Sequence, residues 1–162
     1  MAIAHIHIGT NQGDLANNLL TAIDRLRSKG NILDKSHIYE TDAWGKVDQP
    51  NYYNMAVTYE TKLDPYALLQ LVNEIEDELG RVRKEKWGER IIDLDVITYD
   101  DKVISDEKLT IPHKHMAERN FVLVPMIEIA GEWIHPVKDK TIDELYIECL
   151  DTCDVILIDK TI

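Results

Sequence analysis

The order of strand-like and helix-like hydrophobic patterns is the feature that most constrains the fold of this chain. Residues 3–8 alternate as in a strand, and apolar residues then recur at helical spacing over 15–30. Two more strand patterns, at 31–41 and 54–61, precede a second helical pattern, and a further strand pattern covers 91–99. The order β-α-β-β-α-β is typical of the split βαβ plan. We therefore expect an α+β fold with a ferredoxin-like sheet and helices packed on it.

Capping residues mark two of the predicted helices. Asp64 is a suitable N-cap for the second helix, and Gly80 is suited to end it. Further along the chain, Thr141 and Glu144 have the spacing of a capping box, which predicts one more helix.

The last third of the chain is less regular. Residues 116–130 have a partly helical pattern in which Pro125 marks a kink or an end, and 155–158 predict a late strand. No repeat, linker or low-complexity tract interrupts the sequence. We therefore expect residues 1–162 to form a single domain.

Composition excludes several classes of protein. Acidic residues outnumber basic ones by 30 to 18, which gives a net charge of −12, the opposite of what a nucleic-acid-binding protein needs. No apolar run approaches the roughly 20 residues of a membrane span, and the first residues do not resemble a secretory signal. Cys149 and Cys153 are too few for a disulfide framework and are expected to pack in the core. We expect a cytoplasmic protein without nucleic-acid or membrane partners, and a monomer.

Asp93 and Asp95 are the strongest candidates for chemistry. At positions i and i+2 of a strand, both carboxylates leave the same face, whereas Ile92, Leu94 and Val96 face the other way. Their Cα atoms would be roughly 6.5–7 Å apart, which suits two metal ions about 3.5–4 Å from each other. Ligation by oxygen alone favours magnesium. The alternative interpretation is an ordinary exposed strand face.

A basic segment comes immediately before this strand. Residues 81–90 carry five cations against two carboxylates in an otherwise acidic chain. Such cations can pair with phosphate oxygens while metal ions neutralise the same phosphates, which is what phosphoryl or diphosphoryl transfer requires. The P-loop and protein-kinase motifs do not occur in the sequence. A solvated surface loop is the alternative interpretation. The cations are Arg81, Arg83, Lys84, Lys86 and Arg90.

The histidines are weaker candidates when each is considered alone. His5 and His7 share a strand face and could ligate a metal, but without a nearby carboxylate we expect a structural or exposed role for both. His113 and His115 are better placed for contact with phosphate, because Arg119 follows closely.

Four stretches taken together resemble the 6-hydroxymethyl-7,8-dihydropterin pyrophosphokinase family. They occur in the order found in that family and extend from the start of the chain to about residue 130. The stretches are IGTNQGD at 8–14, YETDAWG at 39–45 with DQPNYYN at 48–54, GRVRKEKWGER at 80–90 with DLD at 93–95, and IPH at 111–113 with RNFVL at 119–123.

The resemblance implies a reaction and a set of site residues. The reaction is transfer of a diphosphate from ATP to the hydroxymethyl group of a dihydropterin in folate biosynthesis, which yields AMP and the pterin diphosphate. Two magnesium ions would be held by Asp93 and Asp95. Tyr52 and Phe121 would enclose the pterin ring. Its polar edge would be read by Thr41, the main chain at Trp44, and Asn54.

The resemblance also implies an ATP site and catalytic groups. ATP would be bound by Asn73, Glu76, Arg83, Trp87, His113 and Arg119. Catalytic roles would fall to Arg81, Arg90 and Asp95, with Arg81 and Trp87 on a mobile loop.

The sequence departs from the family pattern at four positions. The family commonly has Pro at the positions of Ala43 and Glu89, Arg at Lys86 and Gln at Asn73. These changes bear on rate and affinity more than on the type of reaction.

Two other functions share some of these features. A nucleotidyl-transfer palm also places two aspartates on a ferredoxin-like sheet, but it predicts a basic groove that the net charge of −12 disfavours. A ligand-binding regulatory module leaves the aspartate pair and the basic segment unexplained.

Overall fold

A computed structural model describes residues 1–42, 50–80 and 91–158 of the chain. Its strands are β1 (Ala2–Thr10), β2 (Asn31–Lys35), β3 (Ile38–Thr41), β4 (Tyr52–Thr61), β5 (Asp93–Tyr99), β6 (Ile104–Ser105), β7 (Thr110–Ile111) and β8 (Val155–Ile158). Its α-helices are α1 (Leu15–Arg27), α2 (Pro65–Gly80), α3 (Asn120–Ala130) and α4 (Ile142–Glu148), and a short 3-10 helix covers Met116–Glu118.

The large sheet is antiparallel throughout and has β1 near its centre. Its strand order is β5-β1-β4-β3-β8, and β2 also pairs with β4. Strands β6 and β7 form a separate two-stranded sheet. The expected α+β class with helices packed on a sheet is therefore confirmed.

The two faces of β1 pack against different helices. Ala4, Ile6 and Ile8 are fully buried in the core that contains the apolar faces of α1 and α2. The alternate residues His5 and His7 lie on the other face, where the ring of His7 is close to Phe121 of α3. The strand periodicity of residues 3–8 thus separates two covered faces of the sheet, and a second apolar cluster, which includes Ala56, Ile97 and Met126, packs on the face of the histidines.

The predicted strand at 31–41 is two strands, and this expectation was wrong in detail. Strands β2 and β3 pair one after the other with the same edge of β4, and Ser36 interrupts them. The backbone N–H of Ser36 donates to Ala56 O at 2.9 Å, and the Ser36 hydroxyl accepts the Ala56 N–H at 2.9 Å. A side chain therefore takes the place of one backbone acceptor where the strand breaks.

The predicted helix caps are confirmed. The Asp64 carboxylate accepts the N–H of Ala67 at 2.8 Å at the start of α2. Thr141 and Glu144 form both hydrogen bonds of the capping box at the start of α4. Within the described ranges, no helix is long and apolar enough to cross a membrane.

Helix α3 continues through Pro125 to Ala130, so of the two predicted alternatives, a kink or an end at this proline, the end was wrong. Proline has no N–H, so the carbonyl of Phe121, four residues earlier, lacks its usual helical donor. The imidazole of His7 supplies a partner, with 3.1 Å between Nε2 and Phe121 O. Side-chain hydrogen bonding thus compensates for the proline inside the helix.

The Ser36 hydroxyl gives a testable prediction about stability. We expect Ser36→Ala to lower the free energy of unfolding by about 1–3 kcal/mol, because it leaves the buried Ala56 N–H without an acceptor. Ser28→Ala is a matched control, since the exposed Ser28 hydroxyl only donates to Arg25 O at the end of α1. Urea denaturation of both variants is the measurement. Equal stability of the two variants would contradict the proposed part of Ser36 in joining β2, β3 and β4.

Candidate active site

A cavity of about 850 Å³ is lined by side chains from β1, β3, β4, β5, α2 and α3. Every predicted site residue that falls in the described ranges lines it. These residues are Thr41, Tyr52, Asn54, Asn73, Glu76, Asp93, Asp95, His113, Arg119 and Phe121. The structure therefore brings them together in one place, while the roles assigned to them stay predictions.

Five predicted site residues lie outside the described ranges. They are Trp44, Arg81, Arg83, Trp87 and Arg90. The same holds for the family departures Ala43, Lys86 and Glu89, whereas Asn73 lines the cavity.

Asp93 and Asp95 reach the cavity from β5, as their spacing predicts. Asp93 pairs with Gly9 and Asp95 with His7 across the β1–β5 ladder. Both aspartates are half-buried, whereas Leu94 between them is buried in the core of the opposite face. The two carboxylates are thus held on the wall of the cavity by a strand that is anchored from behind.

Glu76 connects this strand to α2. Its Oε2 accepts the backbone N–H of Leu94 at 3.1 Å. This contact fixes the position of β5 between the two aspartates, and it places a third carboxylate on the same cavity.

The donor set at the two aspartates fits magnesium. Carboxylate oxygens are the ligands that this ion prefers, and it usually completes its shell with water and substrate phosphate. In the ranges that the structure describes, no group of three or more His, Cys, Asp and Glu side chains is placed to hold a metal ion.

Asn54 and Thr41 form a buried polar pair in the wall of the cavity. Asn54 is 2% exposed and Thr41 is 4% exposed, and Asn54 Nδ2 donates to Thr41 Oγ1 at 2.8 Å. Gly9 lies against the same amide, since a Cβ there would come within 3.1 Å of Asn54 Oδ1. The orientation of the Asn54 amide is therefore set by the protein before any ligand binds.

Phe121 lies at the start of α3, between a cation and an imidazole. The guanidinium carbon of Arg119 is 5.6 Å from the centroid of the Phe121 ring, and the His7 ring centroid is 5.7 Å from it. The first turn of α3 is held in place by Asp151, whose Oδ2 accepts the Asn120 N–H at 2.9 Å. An aromatic ring of fixed position thus forms part of the cavity wall.

His113 has a defined hydrogen-bonding state. Its Nδ1 accepts the backbone N–H of His115 at 3.2 Å, so a neutral His113 carries its proton on Nε2. Burial lowers the pKa of His113, and the nearby Asp95 carboxylate opposes that shift. His113 can therefore act as a neutral hydrogen-bond donor from Nε2.

The two histidines of β1 are buried. Of the two roles expected for them, the exposed role was therefore wrong and the structural role is confirmed. His5 Nδ1 lies 2.7 Å from Thr98 Oγ1, and burial lowers its pKa to about 4. Burial also lowers the pKa of His7 to about 4, against the opposing effect of Asp95. His7, unlike His5, lines the cavity.

The sequence analysis did not single out several residues that line the cavity. Lys108, Thr110 and Lys114 flank the IPH motif. The two lysines could have been identified from the sequence, because they lie close to His113, which was expected to contact phosphate. His7 could not have been assigned in this way, because its place beside Asp95 depends on the register between β1 and β5.

Comparison with known proteins identifies relatives over most of the chain. Residues 5–131 match the model of the 7,8-dihydro-6-hydroxymethylpterin-pyrophosphokinase (HPPK) family. A 2-amino-4-hydroxy-6-hydroxymethyldihydropteridine pyrophosphokinase of Methylorubrum extorquens is 42% identical over 136 residues, which cover 83% of this chain and 86% of the relative. The protein of the same name from Aquifex aeolicus is 37% identical over 89% of this chain and 90% of its own length.

Solved structures resemble the fold as well. Plasmodium falciparum HPPK-DHPS with pteroate superimposes with a TM-score of 0.70 at 20% identity, covering 91% of this chain. The match covers only 42% of that chain, and at this identity it concerns the fold alone. The family match and the curated relatives carry the conclusion: the chain belongs to the 7,8-dihydro-6-hydroxymethylpterin-pyrophosphokinase family.

Proposed function

We propose that the cavity is the site at which this chain transfers a diphosphate from ATP to the hydroxymethyl group of 6-hydroxymethyl-7,8-dihydropterin, with AMP as the other product. Members of the family are pyrophosphokinases of folate biosynthesis, and the chain is an enzyme of this class. The observation that carries the assignment is the common cavity: Asp93 and Asp95 line it together with Asn54 and Phe121. Carboxylates suited to a metal ion that binds phosphate, and side chains suited to a flat heterocycle, thus line the same cavity.

The pterin ring would lie at the Asn54 end of the cavity. Tyr52 and Phe121 supply aromatic walls, and a flat heterocycle gains dispersion and stacking energy between such walls. Because Asn54 Nδ2 donates to Thr41, its Oδ1 is directed to other donors, and it suits an N–H of the pterin edge. A buried amide of fixed orientation discriminates strongly against ligands that leave it unpaired.

ATP would lie along the wall that carries the charged groups. Glu76 and Asn73 of α2, together with His113 and Arg119, line this part. Arg119 offers a bidentate donor to phosphate, and His113 offers Nε2–H as a neutral donor. The assigned Arg81, Arg83, Trp87 and Arg90 lie outside the described residues, and they remain part of the proposal through the family motif alone.

Asp93 and Asp95 would hold two magnesium ions. When bound, these ions supply positive charge that neutralises the phosphates and favours attack by the pterin hydroxyl. The protein's own contribution is to fix the two carboxylates on one strand face and to align the substrates. Arg119 and His113 add stabilisation where charge develops on the phosphates.

Several wider features belong to the same proposal. The order β5-β1-β4-β3 with antiparallel pairing supports a ferredoxin-like plan, in which β2 and β3 together act as one strand of the motif. The proposal includes a single pyrophosphokinase domain over residues 1–162 that works as a monomer, and the single domain is supported by a cavity whose lining comes from β1 at one end of the chain through to α3. Two free cysteines and a reaction that consumes ATP support a cytoplasmic enzyme.

The products test the proposed function directly. Incubation of the protein with Mg-ATP and the reduced pterin should yield AMP and the pterin diphosphate in equal amounts. ADP as the nucleotide product, or no turnover, would contradict a diphosphate transfer. A regulatory module would bind ligand under these conditions without consuming ATP.

Loss of either aspartate should remove most activity. We expect Asp95→Asn to reduce kcat by about 10²–10³-fold, because phosphate charge at the reacting centre is then left less well compensated. Asp101→Asn, in the exposed turn after β5, is the matched control and should retain activity. Steady-state AMP formation is measured with circular dichroism as a check of folding. Activity of Asp95→Asn within tenfold of the control would exclude a metal role for Asp95.

The Asn54 amide should matter for pterin and not for ATP. We expect Asn54→Ala to weaken pterin binding by about 10-fold or more, since the polar edge of the ligand loses a buried partner. Thr41→Val removes the hydroxyl that accepts from Asn54 Nδ2, and it should weaken pterin binding by a smaller factor. Calorimetric titration with each ligand is the measurement. Equal losses for pterin and for a non-hydrolysable ATP analogue would identify Asn54 as a purely structural residue.

A further inference from the structure

We propose that His7 is a positioning residue of this active site, whose imidazole holds the start of α3 so that the Phe121 ring forms a fixed wall of the pterin slot. The inference rests on the proposed function, since it takes from there the assignment of Phe121 to the pterin. It adds a residue of β1 that contacts α3 at the level of the substrate cavity.

The need for such a contact arises from Pro125. A proline inside a helix leaves the carbonyl four residues earlier without its N–H donor, and here that carbonyl belongs to Phe121. A partly buried carbonyl without a donor costs free energy, and the first turn of α3 would be free to shift to find another donor. The carbonyl that Pro125 leaves without a donor therefore belongs to the residue whose ring lines the cavity.

His7 supplies the missing donor from a rigid position. Its Nε2 lies 3.1 Å from Phe121 O, and its ring packs against the Phe121 ring with the planes tilted by 57°. The side chain is only 3% exposed, and β1 is paired on both sides, by β4 and β5. One imidazole thus holds both the backbone and the ring of Phe121.

Asp151 holds the same turn of α3 from another direction. Its carboxylate accepts the Asn120 N–H at 2.9 Å, and its backbone carbonyl accepts Asn120 Nδ2 at 2.9 Å. With Asn120 fixed by Asp151 and Phe121 fixed by His7, the first turn of α3 can neither rotate nor slide without breaking a hydrogen bond. The direction of the Phe121 side chain follows from these two anchors.

The position of His7 also relates the pterin wall to the metal strand. His7 is the direct partner of Asp95 in the β1–β5 ladder, and both side chains line the cavity. A shift of Phe121 relative to β1 is therefore a shift relative to Asp95. Because transfer depends on the alignment of the pterin hydroxyl with the phosphates, such a shift should weaken pterin binding and misalign the reacting atoms.

His5 offers a matched control on the same strand. It lies two residues from His7, on the same strand face, and is also buried. Its ring, however, contacts Thr98 and Trp133 and does not line the cavity. A variant at His5 therefore perturbs the same region of β1 without touching Phe121.

The test compares three variants by steady-state kinetics with both substrates. His7→Leu removes the donor, and we expect the KM for pterin to rise about tenfold while the KM for ATP stays within about twofold. His7→Gln retains an N–H donor at a similar reach, and it should stay within about threefold of wild type. His5→Leu should lower the melting temperature and leave both KM values unchanged. Should His7→Leu fail to fold, His7→Asn, whose amide is too short to reach Phe121 O, takes its place.

A double-mutant cycle with Pro125 tests the route of the effect. In a Pro125→Ala background the amide at position 125 can donate to Phe121 O, so the loss caused by His7→Leu should shrink to about threefold or less. An undiminished loss in this background would overturn the proposal, as would a His7→Leu variant whose pterin KM matches that of His5→Leu. If the wild-type protein forms no AMP, the proposed function fails and this inference fails with it. If the wild-type protein forms AMP normally, an undiminished loss in the Pro125→Ala background, or equal pterin KM values for His7→Leu and His5→Leu, overturns this inference and leaves the proposed function intact.

Discussion

The two-residue periodicity of β1, paired on both of its edges, is the constraint on which the rest of the structure depends. One set of alternate residues, Ala4, Ile6 and Ile8, is fully buried under α1 and α2. The pairing register of β1 with β4 and β5 places Asn54 and Asp93 on the two sides of Gly9. A slip of one residue would expose the core and separate these groups, so the stability of the sheet and the geometry of the cavity are set together.

The cavity concentrates carboxylates in a chain that already carries a net charge of −12. Asp93 and Asp95 are held on one face by a strand whose intervening residue, Leu94, is buried, and Glu76 adds a third carboxylate. This arrangement does little for stability, since like charges on neighbouring positions repel. It is well suited to cations that bring phosphates with them, which agrees with the pyrophosphokinase family and not with a nucleic-acid groove.

Two breaks in regular structure are compensated by side chains, and both affect the site. Between β2 and β3, the Ser36 hydroxyl accepts the Ala56 N–H and lets β3 continue along β4 towards Thr41 and its partner Tyr52. Where Pro125 interrupts the α3 ladder, His7 donates to the freed Phe121 carbonyl. Backbone groups that regular pairing leaves unsatisfied are thus used to orient residues that line the cavity.

The sequence by itself determined the order of the main helices and strands, and its resemblance to a known family identified ten of the residues that line the cavity. Strand and helix periods, helix caps and the Asp93–Asp95 spacing depend only on local geometry, so they could be predicted without a structure. The sequence could not show that 31–41 breaks at Ser36, that Pro125 lies inside a helix, or that His7 stands between Asp95 and Phe121. These depend on strand register and on contacts between residues distant in the chain, such as the 3.1 Å contact of His7 with Phe121 O. Only the tertiary structure decides them, because a local pattern specifies the face of a side chain and not the partner across from it.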